Sequence, residues 1–329
     1  MPAPQLARRV RDALILFWLV VSLTFVLVRL APGDPATLLV PPDAPSAESA
    51  RLRHEFGLDA SPAVQYARWI GSVLRGDLGE SFATRAPVTD VLRDAAPLSV
   101  GLGVASLALT FLVGVPIGIV QGARRGSPSD RVLTLATTTV YAAPSFWIAL
   151  ALVALFTFGA STLGLPAWAR LPAFGVRTPG ASLSGWDAIR DVVRHAVLPV
   201  CILAAVGAAG IARYARTSVA DVIREDFVRT ARAKGAAPTR VLGRHVLATV
   251  LPSLVVLLAL ALPGLIAGSV FVEAVFAWPG MGRVMLSAIN ARDYPVVMGC
   301  TMAYAAGVIL ANLGADLALP WLDPRRRES

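Results

Sequence analysis

Six long apolar stretches dominate this sequence and restrict the chain to a membrane fold. A helix needs about 20 apolar residues to cross the roughly 30 Å of hydrocarbon in a bilayer. The stretches that approach this length are 13–28, 98–120, 132–156, 196–212, 246–272 and 295–316. The chain is 56% hydrophobic and only 16% charged, whereas soluble domains carry about 25% charged residues. The sequence therefore predicts an all-α polytopic membrane protein with six transmembrane helices.

The basic residues predict which side of the membrane each segment faces. Six crossings place both termini on one side, and that side holds 17 of the 30 Lys and Arg residues in the short segments 1–12, 122–131, 213–245 and 319–329. The other 13 are spread over the longer loops 29–96, 157–196 and 273–295. Basic residues concentrate on the cytoplasmic side of membrane proteins. Both termini are therefore expected in the cytoplasm, with the first stretch kept as an uncleaved anchor.

The net charge of +9 has a different meaning in a membrane protein than in a soluble one. In a soluble chain it would suggest nucleic acid as a partner. Here the cytoplasmic segments carry a net charge of +10 and the outer loops a net charge of 0, so the excess faces the anionic lipid of the inner leaflet. Membrane lipid is the expected partner of this charge, and nucleic acid is not.

Ionisable residues are almost absent from the apolar stretches. Asp316, near the cytoplasmic end of the sixth stretch, is the exception, and it is expected to act as a snorkelling or capping residue. Proton-coupled carriers place ionisable residues inside their spans, so this pattern argues against proton coupling. Sodium coupling through backbone carbonyls would leave no such trace.

Candidate catalytic and nucleotide-binding residues are equally few. Cys201 and Cys300 are isolated and are expected to be small buried side chains. The sole lysine, Lys234, lies in no Gly-Lys-Ser/Thr run, so the chain lacks the phosphate-binding loop that binds ATP. The sequence predicts a protein that is not an enzyme and holds no metal or cofactor. If ATP drives it, a partner must bind the nucleotide.

Prolines within the spans predict either bends or ordinary helix packing, and the sequence alone does not decide between them. They are Pro116, Pro144, Pro199, Pro252 and Pro263. Proline removes a backbone donor and can bend a helix, but it is also more frequent in membrane helices than in soluble ones. In the first interpretation, bends beside Gly114, Gly118 and Gly264 reshape a central path.

The cytoplasmic loop 213–245 contains a short amphipathic pattern. Its apolar residues recur at helical spacing and are Val219, Val222, Ile223, Phe227 and Ala231. Gly235 is a natural helix stop and Pro238 suits the first turn of a new helix, so the loop is expected to form a helix, a sharp turn and a second helix. Two interpretations remain open: an interfacial helix on the lipid surface, or a docking site for a protein with Phe227 as its aromatic anchor.

The outer loops carry a weaker pattern. Ser61 and Pro62 predict a helix start, followed by an apolar face of Val64, Ala67, Trp69, Ile70, Val73 and Leu74. This helix either packs over the membrane entrance or contacts an extracytoplasmic partner. The loop 157–196 has the same two interpretations.

Specific motifs resemble one known family. The run Phe-Val-Arg-Thr-Ala-Arg-Ala-Lys-Gly at 227–235 resembles the cytoplasmic loop of binding-protein-dependent ABC importer permeases. Its particular residues are similar to those of the dipeptide/oligopeptide/nickel branch. Further motifs similar to that branch are Pro-Gly-Asp-Pro at 32–35, Phe-Gly-Leu-Asp at 56–59, Gly-Asp-Leu-Gly at 76–79, Val-Glu-Ala-Val-Phe at 272–276, Pro-Gly-Met-Gly at 279–282, Arg-Asp-Tyr-Pro at 292–295 and Leu-Asp-Pro-Arg at 322–325. The long first outer loop is similar to that of the first, B-type, permease subunit. The interval from Gly235 to Pro252 is one residue shorter than the branch implies.

The resemblance implies a type I importer permease that forms half of a translocation path. Its partners would be a second, different permease subunit, two cytoplasmic ABC ATPases that bind ATP and Mg²⁺, and an extracytoplasmic substrate-binding protein. The coupling helix that docks on one ATPase would comprise Glu225, Asp226, Phe227, Val228, Arg229, Thr230, Ala231, Arg232, Ala233, Lys234 and Gly235. The substrate would be a di- or oligopeptide or a similar solute, since this branch also serves nickel chelates, glutathione and sugars.

Three regions are expected on this basis. Residues 1–30 form the cytoplasmic N-terminal segment and first span, residues 31–96 an extracytoplasmic region with short helices, and residues 97–329 the permease core with five spans and the coupling loop 213–245. The alternative function is a self-sufficient channel or an ion-coupled secondary transporter.

Overall fold

The computed structural model describes residues 3–30, 46–267 and 270–322, and most of these residues are helical. The α-helices are α1 Ala3–Leu30, α2 Ser46–Glu55, α3 Pro62–Val73, α4 Val88–Ala123, α5 Pro128–Ala142, α6 Ser145–Val153, α7 Gly185–Val222, α8 Asp226–Ala233, α9 Pro238–Arg240, α10 Leu247–Ala267, α11 Val270–Val275, α12 Met281–Asn290 and α13 Tyr294–Leu322. Two π-helical segments, Ala154–Phe158 and Val241–Val246, and a 3₁₀ turn at Ala167–Ala169 complete the set. The all-α fold is confirmed.

Five of the described helices are long and apolar enough to cross a membrane, and a sixth span is present if a bent pair is counted as one. The five are Ala7–Leu30, Val88–Ala123, Gly185–Val222, Pro238–Leu262 and Tyr294–Ala315. Both α4, with 36 residues, and α7, with 38, exceed the roughly 20 residues that hydrocarbon requires. Each therefore extends beyond the apolar stretch that the sequence indicates.

The predicted third span is broken. Its two halves, Pro128–Ala142 and Ser145–Phe158, meet at an angle of 101°. The break falls at Ala143, whose backbone is extended (φ −74°, ψ 138°), because the residue before a proline is pushed out of the helical region. Pro144 thus bends the chain as one of the two interpretations expects. Pro199, by contrast, lies inside the continuous helix α7.

Contacts divide the described residues into two compact units. The described residues of 1–99, 266–270 and 279–313 form the first unit, and those of 100–265, 271–278 and 314–329 form the second.

In the first unit, α3 packs on the outer end of α1. Pro62 stands in the first turn of α3 as predicted, and the hydroxyl groups of Tyr66 and Ser22 are hydrogen-bonded at 2.6 Å. Phe25 contacts the rings of both Tyr66 and Trp69, with centroid distances of 5.1 and 5.9 Å. The ring of Phe25 is 4% exposed, and its contacts with the two partly exposed rings hold this short helix on the apolar α1.

The carboxylate of Asp293 ties two distant parts of the first unit together. Asp293 is only 3% exposed and accepts hydrogen bonds from the hydroxyl of Ser81 (2.5 Å) and the backbone N–H groups of Phe82 (3.0 Å) and Ala83 (3.3 Å). A buried carboxylate is costly unless its oxygens are hydrogen-bonded. The turn after Gly79 supplies these donors and is thereby held against the start of α13.

In the second unit, α4 and α7 approach each other along a row of glycines. A Cβ atom built on Gly114, Gly118 or Gly122 would lie 2.5 to 2.7 Å from a backbone carbonyl oxygen of α7, those of Ala208, Ala212 and Arg216. Small residues at a spacing of four let membrane helices pack backbone to backbone. This contact fixes α7 next to α4 and thereby positions the cytoplasmic end of α7, from which α8 follows.

We expect Gly118→Val to destabilise the protein by about 2 kcal/mol, because the added methyl groups overpack a contact that has no room for them. The measurement is the midpoint of unfolding of the detergent-solubilised chain in a titration with SDS. Gly101→Val is the matched control, since it lies in the same helix and an added Cβ there would meet nothing within 4 Å. Equal midpoints for the two variants would contradict the close packing.

We expect Asp293→Ala to loosen the turn after Gly79 by about 2 kcal/mol, because a buried hydroxyl and two backbone donors lose their acceptor. Amide hydrogen exchange at Phe82 and Ala83 reports the change directly and should become about thirtyfold faster. Asp77→Ala, which removes one exposed acceptor from Gly79 N–H, should alter exchange at these two amides little. Unchanged exchange in Asp293→Ala would show that the carboxylate does not hold the turn.

Candidate functional site

The helix α8 lies directly after the long membrane helix α7. Helix α7 ends at Val222, and residues 223–225 form a turn in which Arg224 N–H donates to Asp221 O and Glu225 N–H to Val222 O. Glu225 is the N-cap of α8 in an extended conformation (φ −65°, ψ 150°). Asp226 in the first turn and Arg232 in the last both suit the helix dipole.

The end of α8 is a Schellman motif. Gly235 has φ +79°, its N–H donates to Arg232 O, and the N–H of Ala236 donates to Ala231 O. These two bonds satisfy carbonyls that a helix end leaves unpaired, and the left-handed residue between them is usually glycine. Pro238 then starts the next helical turn. The predicted stop at Gly235 and restart at Pro238 are both confirmed.

The inner face of α8 is packed into the core of the second unit. Val228 is fully buried and Ala231 is 9% exposed. They belong to one cluster with Ala215 and Val219 of α7, Val241 and Val246 of the π-helical segment, and Val250 and Leu254 of α10. Burial of a valine side chain contributes about 1.5–3 kcal/mol. This eight-residue helix is therefore anchored to the two membrane helices that it connects.

The outer face of α8 is open. Phe227 is 44% exposed, and the carboxylate of Asp226 and the guanidinium of Arg229 are 95% and 72% exposed, joined by a single contact of 3.4 Å. Nine of the eleven residues predicted for the coupling helix are exposed: Glu225, Asp226, Phe227, Arg229, Thr230, Arg232, Ala233, Lys234 and Gly235. The surface thus presents one aromatic ring among charges of both signs.

The predicted apolar face of this segment is wrong in one respect. The periodicity placed Phe227 together with Val219, Val222 and Ile223 on one continuous helix. The turn at residues 223–225 interrupts that helix, so that Val228 instead of Phe227 joins the buried face. Phe227 consequently lies on the open side.

A partly buried ion pair beside this segment, in which the Arg216 side chain is 27% exposed, was not predicted. Arg216 of α7 donates through Nε to Asp130 Oδ1 (2.7 Å) and through Nη2 to Oδ2 (2.9 Å), and the Asp130 side chain is 3% exposed. Gly126 N–H and the hydroxyl of Thr134 also donate to this carboxylate. The local signal was a capping pattern, since the N-cap Ser127 accepts from Asp130 N–H, but its partner lies 86 residues away.

Several motif residues of the first unit meet around a cavity of about 400 Å³. Its lining includes Phe56, Gly79, Tyr294 and Pro295 from three of the motifs in the sequence. Arg29 lies over the ring of Tyr294 at 5.2 Å, and the rings of Phe56 and Phe82 stack at 4.1 Å. The motifs are therefore neighbours in space, although up to 239 positions separate them in the chain.

The remaining predicted positions have mixed outcomes. Cys300 is buried as expected, but Cys201 is exposed on α7. Within the part of the chain that the structure describes, no group of three or more His, Cys, Asp or Glu side chains is placed to hold a metal ion. The motif at 32–35, residues 323–325 of the last motif and the side chain of Asp316 lie outside the described residues.

Comparison with known protein families gives two matches that together cover most of the chain. Residues 114–328 match the family described as binding-protein-dependent transport system inner membrane component. Residues 4–103 match the N-terminal region of membrane components of the same transport systems.

Curated relatives agree with this assignment. The oligopeptide transport system permease protein AppB of Bacillus subtilis (strain 168) is 34% identical over 304 residues, which cover 92% of each chain. The di/tripeptide transport system permease protein DppB of Pseudomonas aeruginosa (strain UCBPP-PA14) is 35% identical over 332 residues, or 98% of each chain. The probable D,D-dipeptide transport system permease protein DdpB of Escherichia coli (strain K12) is 34% identical over 312 residues, covering 92% of this chain and 91% of that one.

A solved structure shares the fold. It is an inward-facing form of the MetNI methionine ABC transporter, matched with a TM-score of 0.50 and 17% identity over 71% of this chain and 97% of that chain. At this identity the similarity concerns the fold alone. Taken with the helical architecture and the matches along the sequence, it shows that the chain is a multi-pass membrane protein that belongs to the family of binding-protein-dependent transport system inner membrane components.

Proposed function

We propose that this chain is the transmembrane permease subunit of an ATP-driven importer for di- or oligopeptides or a similarly sized solute. It forms half of the translocation path, together with a second permease subunit of different sequence. The solute reaches the path from an extracytoplasmic binding protein. Three relatives that match over more than nine-tenths of their length are named as oligopeptide, di/tripeptide and D,D-dipeptide permeases, which supports peptides as the substrate class.

Energy enters this system through partner proteins. The single lysine, Lys234, is not part of a phosphate-binding loop, so ATP and Mg²⁺ are assigned to two cytoplasmic ABC ATPases and no cofactor is assigned to this chain. A conformational change of the ATPases must then be transmitted to the permease through a direct contact between the two proteins. The segment from Glu225 to Gly235, built around α8, is the contact that we assign to this task.

The open face of α8 is the observation that carries this assignment. An interfacial helix binds lipid through an apolar face, but the apolar residues Val228 and Ala231 of α8 are already buried in the protein core. What remains is Phe227, half-exposed among Asp226, Arg229 and Arg232. A single large aromatic surrounded by charges of both signs is typical of a protein–protein hot spot. This favours docking on an ATPase over lying on the lipid surface.

The rigid attachment of α8 supports the same function. A helix that transmits force must move together with the spans that it joins, and transmission requires a packed element with two arrangements. The cluster formed by Val228, Ala231, Val219 and Val250 connects α8 to α7 and to α10. Displacement of α8 by an ATPase would therefore displace the cytoplasmic ends of both membrane helices.

We expect the purified chain, reconstituted alone in liposomes, to give no flux of radiolabelled trialanine. Co-reconstitution with the second permease, two ATPases and the binding protein should restore uptake that requires ATP. The physical reason is that the chain has no nucleotide site of its own and few ionisable residues in its spans for ion coupling. Flux through the chain alone, with or without a sodium gradient, would identify a channel or an ion-coupled carrier instead.

We expect Phe227→Ala to lower ATP-driven uptake about tenfold, since removal of a hot-spot aromatic weakens docking by about 2 kcal/mol. Gly235→Val should also uncouple uptake, because a β-branched residue does not adopt φ +79° readily. Both variants should remain in the membrane at the level of the wild type, as measured by immunoblot. Trp18→Ala, which removes an exposed aromatic from α1, is the control. Normal uptake in both Phe227→Ala and Gly235→Val would refute the role of α8.

A further inference from the structure

The helix that leads into α8 forms an ion pair with the start of α5. Arg216 lies six residues before Val222, the last residue of α7, and on the same part of α7 as Ala215 and Val219, which pack against α8. Its guanidinium makes both hydrogen bonds to the Asp130 carboxylate at the start of α5. Any displacement that α8 passes to α7 therefore reaches Arg216 directly.

The geometry of this contact makes it directional. A bidentate arginine–carboxylate pair requires two parallel N–H···O bonds in one plane, and here they measure 2.7 and 2.9 Å. The carboxylate is fixed in turn by Gly126 N–H at 2.8 Å and by the hydroxyl of Thr134 at 3.2 Å. Because its oxygens are held by four donors from three places in the chain, Asp130 cannot follow Arg216 without moving the start of α5.

A second arginine of α7 holds the other end of α5. The guanidinium of Arg213, one turn before Arg216, lies 4.0 Å from the centroid of the Tyr141 ring. Tyr141 is the second-last residue of α5 and lies two residues before Ala143, where the break begins. Two arginines one turn apart on α7 therefore contact the two ends of α5. The second of these ends lies at the 101° bend.

The contact between α7 and α4 is of a different kind. At Gly114, Gly118 and Gly122 it consists of glycines packed against the backbone and side chains of α7, and a hydrogen bond of 3.4 Å from the Thr110 hydroxyl to Ala204 O lies farther along the same contact. These contacts hold α7 close to α4 over its length, whereas the ion pair depends steeply on the alignment of its hydrogen bonds. The ion pair therefore adds a directional link from α7 to α5.

We propose that Asp130 and Arg216 are positioning residues that couple the motion of α8 to the broken span formed by α5 and α6. This inference rests on the proposed function, since it assigns a path for the motion that an ATPase imparts to α8. When α8 shifts, α7 carries Arg216 with it, the ion pair pulls the start of α5, and the bend at Pro144 takes up the displacement. The pair is expected to persist through the transport cycle.

The test uses the complete importer in proteoliposomes and measures ATP hydrolysis and uptake of radiolabelled trialanine in the same vesicles. Asp130→Asn and Arg216→Lys each lose one arm of the bidentate contact and keep a similar shape. We expect ATP hydrolysis to continue and the uptake per ATP hydrolysed to fall about tenfold. The double variant Asp130→Asn, Arg216→Gln restores a neutral hydrogen-bonded pair and should recover part of that ratio.

Gly207→Ala is the control for a purely structural defect. Its added methyl group would lie 2.7 Å from Thr110 Oγ1 and disturbs the packing of α4 and α7 without touching the ion pair. Gly207→Ala should lower hydrolysis and uptake in proportion, through the amount of assembled complex. The positioning role would be overturned if uptake per ATP hydrolysed stayed at the wild-type value in both Asp130→Asn and Arg216→Lys, whether or not hydrolysis and uptake themselves fell. Absence of ATP-driven uptake in the wild type would instead overturn the proposed function.

A spectroscopic measurement distinguishes the pair's role in motion from its role in stability. Spin labels at Leu135→Cys in α5 and Thr217→Cys in α7, in a chain with Cys201 and Cys300 replaced by alanine, report the distance between these helices. In the wild-type background this distance should stay constant between the nucleotide-free and ATP-bound importer. With Asp130→Asn it should change on ATP binding, because α7 then moves without α5. A distance that responds equally with and without the pair would refute the coupling.

Discussion

The backbone-to-backbone contact between α4 and α7 is the interaction on which the second unit depends. Inside a bilayer every backbone polar group must be satisfied within its own helix, and apolar side chains gain little by leaving lipid for protein. Helices therefore associate through close packing, which is strongest where side chains are absent. Gly114, Gly118 and Gly122 provide that contact, and a Cβ at Gly118 would lie 2.5 Å from the oxygen of Ala212. The position of α7, and with it that of α8, follows from this row of glycines.

The helix α8 shows how a short element acquires a defined surface. Isolated helices of eight residues are unstable in water, so its conformation must come from its neighbours. Glu225 and Gly235 set its two ends through backbone geometry, while Val228 and Ala231 anchor its inner face. Because both the ends and the inner face are fixed, the direction of Phe227 is fixed as well. A surface residue with a defined direction is what a docking site requires.

The sequence predicted the elements of this fold better than their geometry. Periodicity and length identify the apolar stretches and the stop at Gly235, because each depends on neighbouring residues alone. The same periodicity misplaced Phe227, since nothing in the run from Val222 to Asp226 is a glycine or proline that signals a turn. It also left open whether Pro144 bends its span by 101° or simply packs, because proline occurs both at bends and inside continuous membrane helices, as Pro199 does in α7. The pairing of Asp130 with Arg216 could not be predicted from the sequence, because residues 86 positions apart meet only once the helices have packed.

Net stability alone does not account for the ion pair between Asp130 and Arg216. The cost of removing two charges from water largely offsets their attraction, so a buried ion pair contributes little net stability compared with apolar residues of the same size. Glycine contacts and the cluster around Val219 already stabilise this end of the unit. What a bidentate pair adds is a directional link between two helices. At the cytoplasmic junction of α5 and α7, the pair is best explained by the need to keep these two helices aligned while α7 moves.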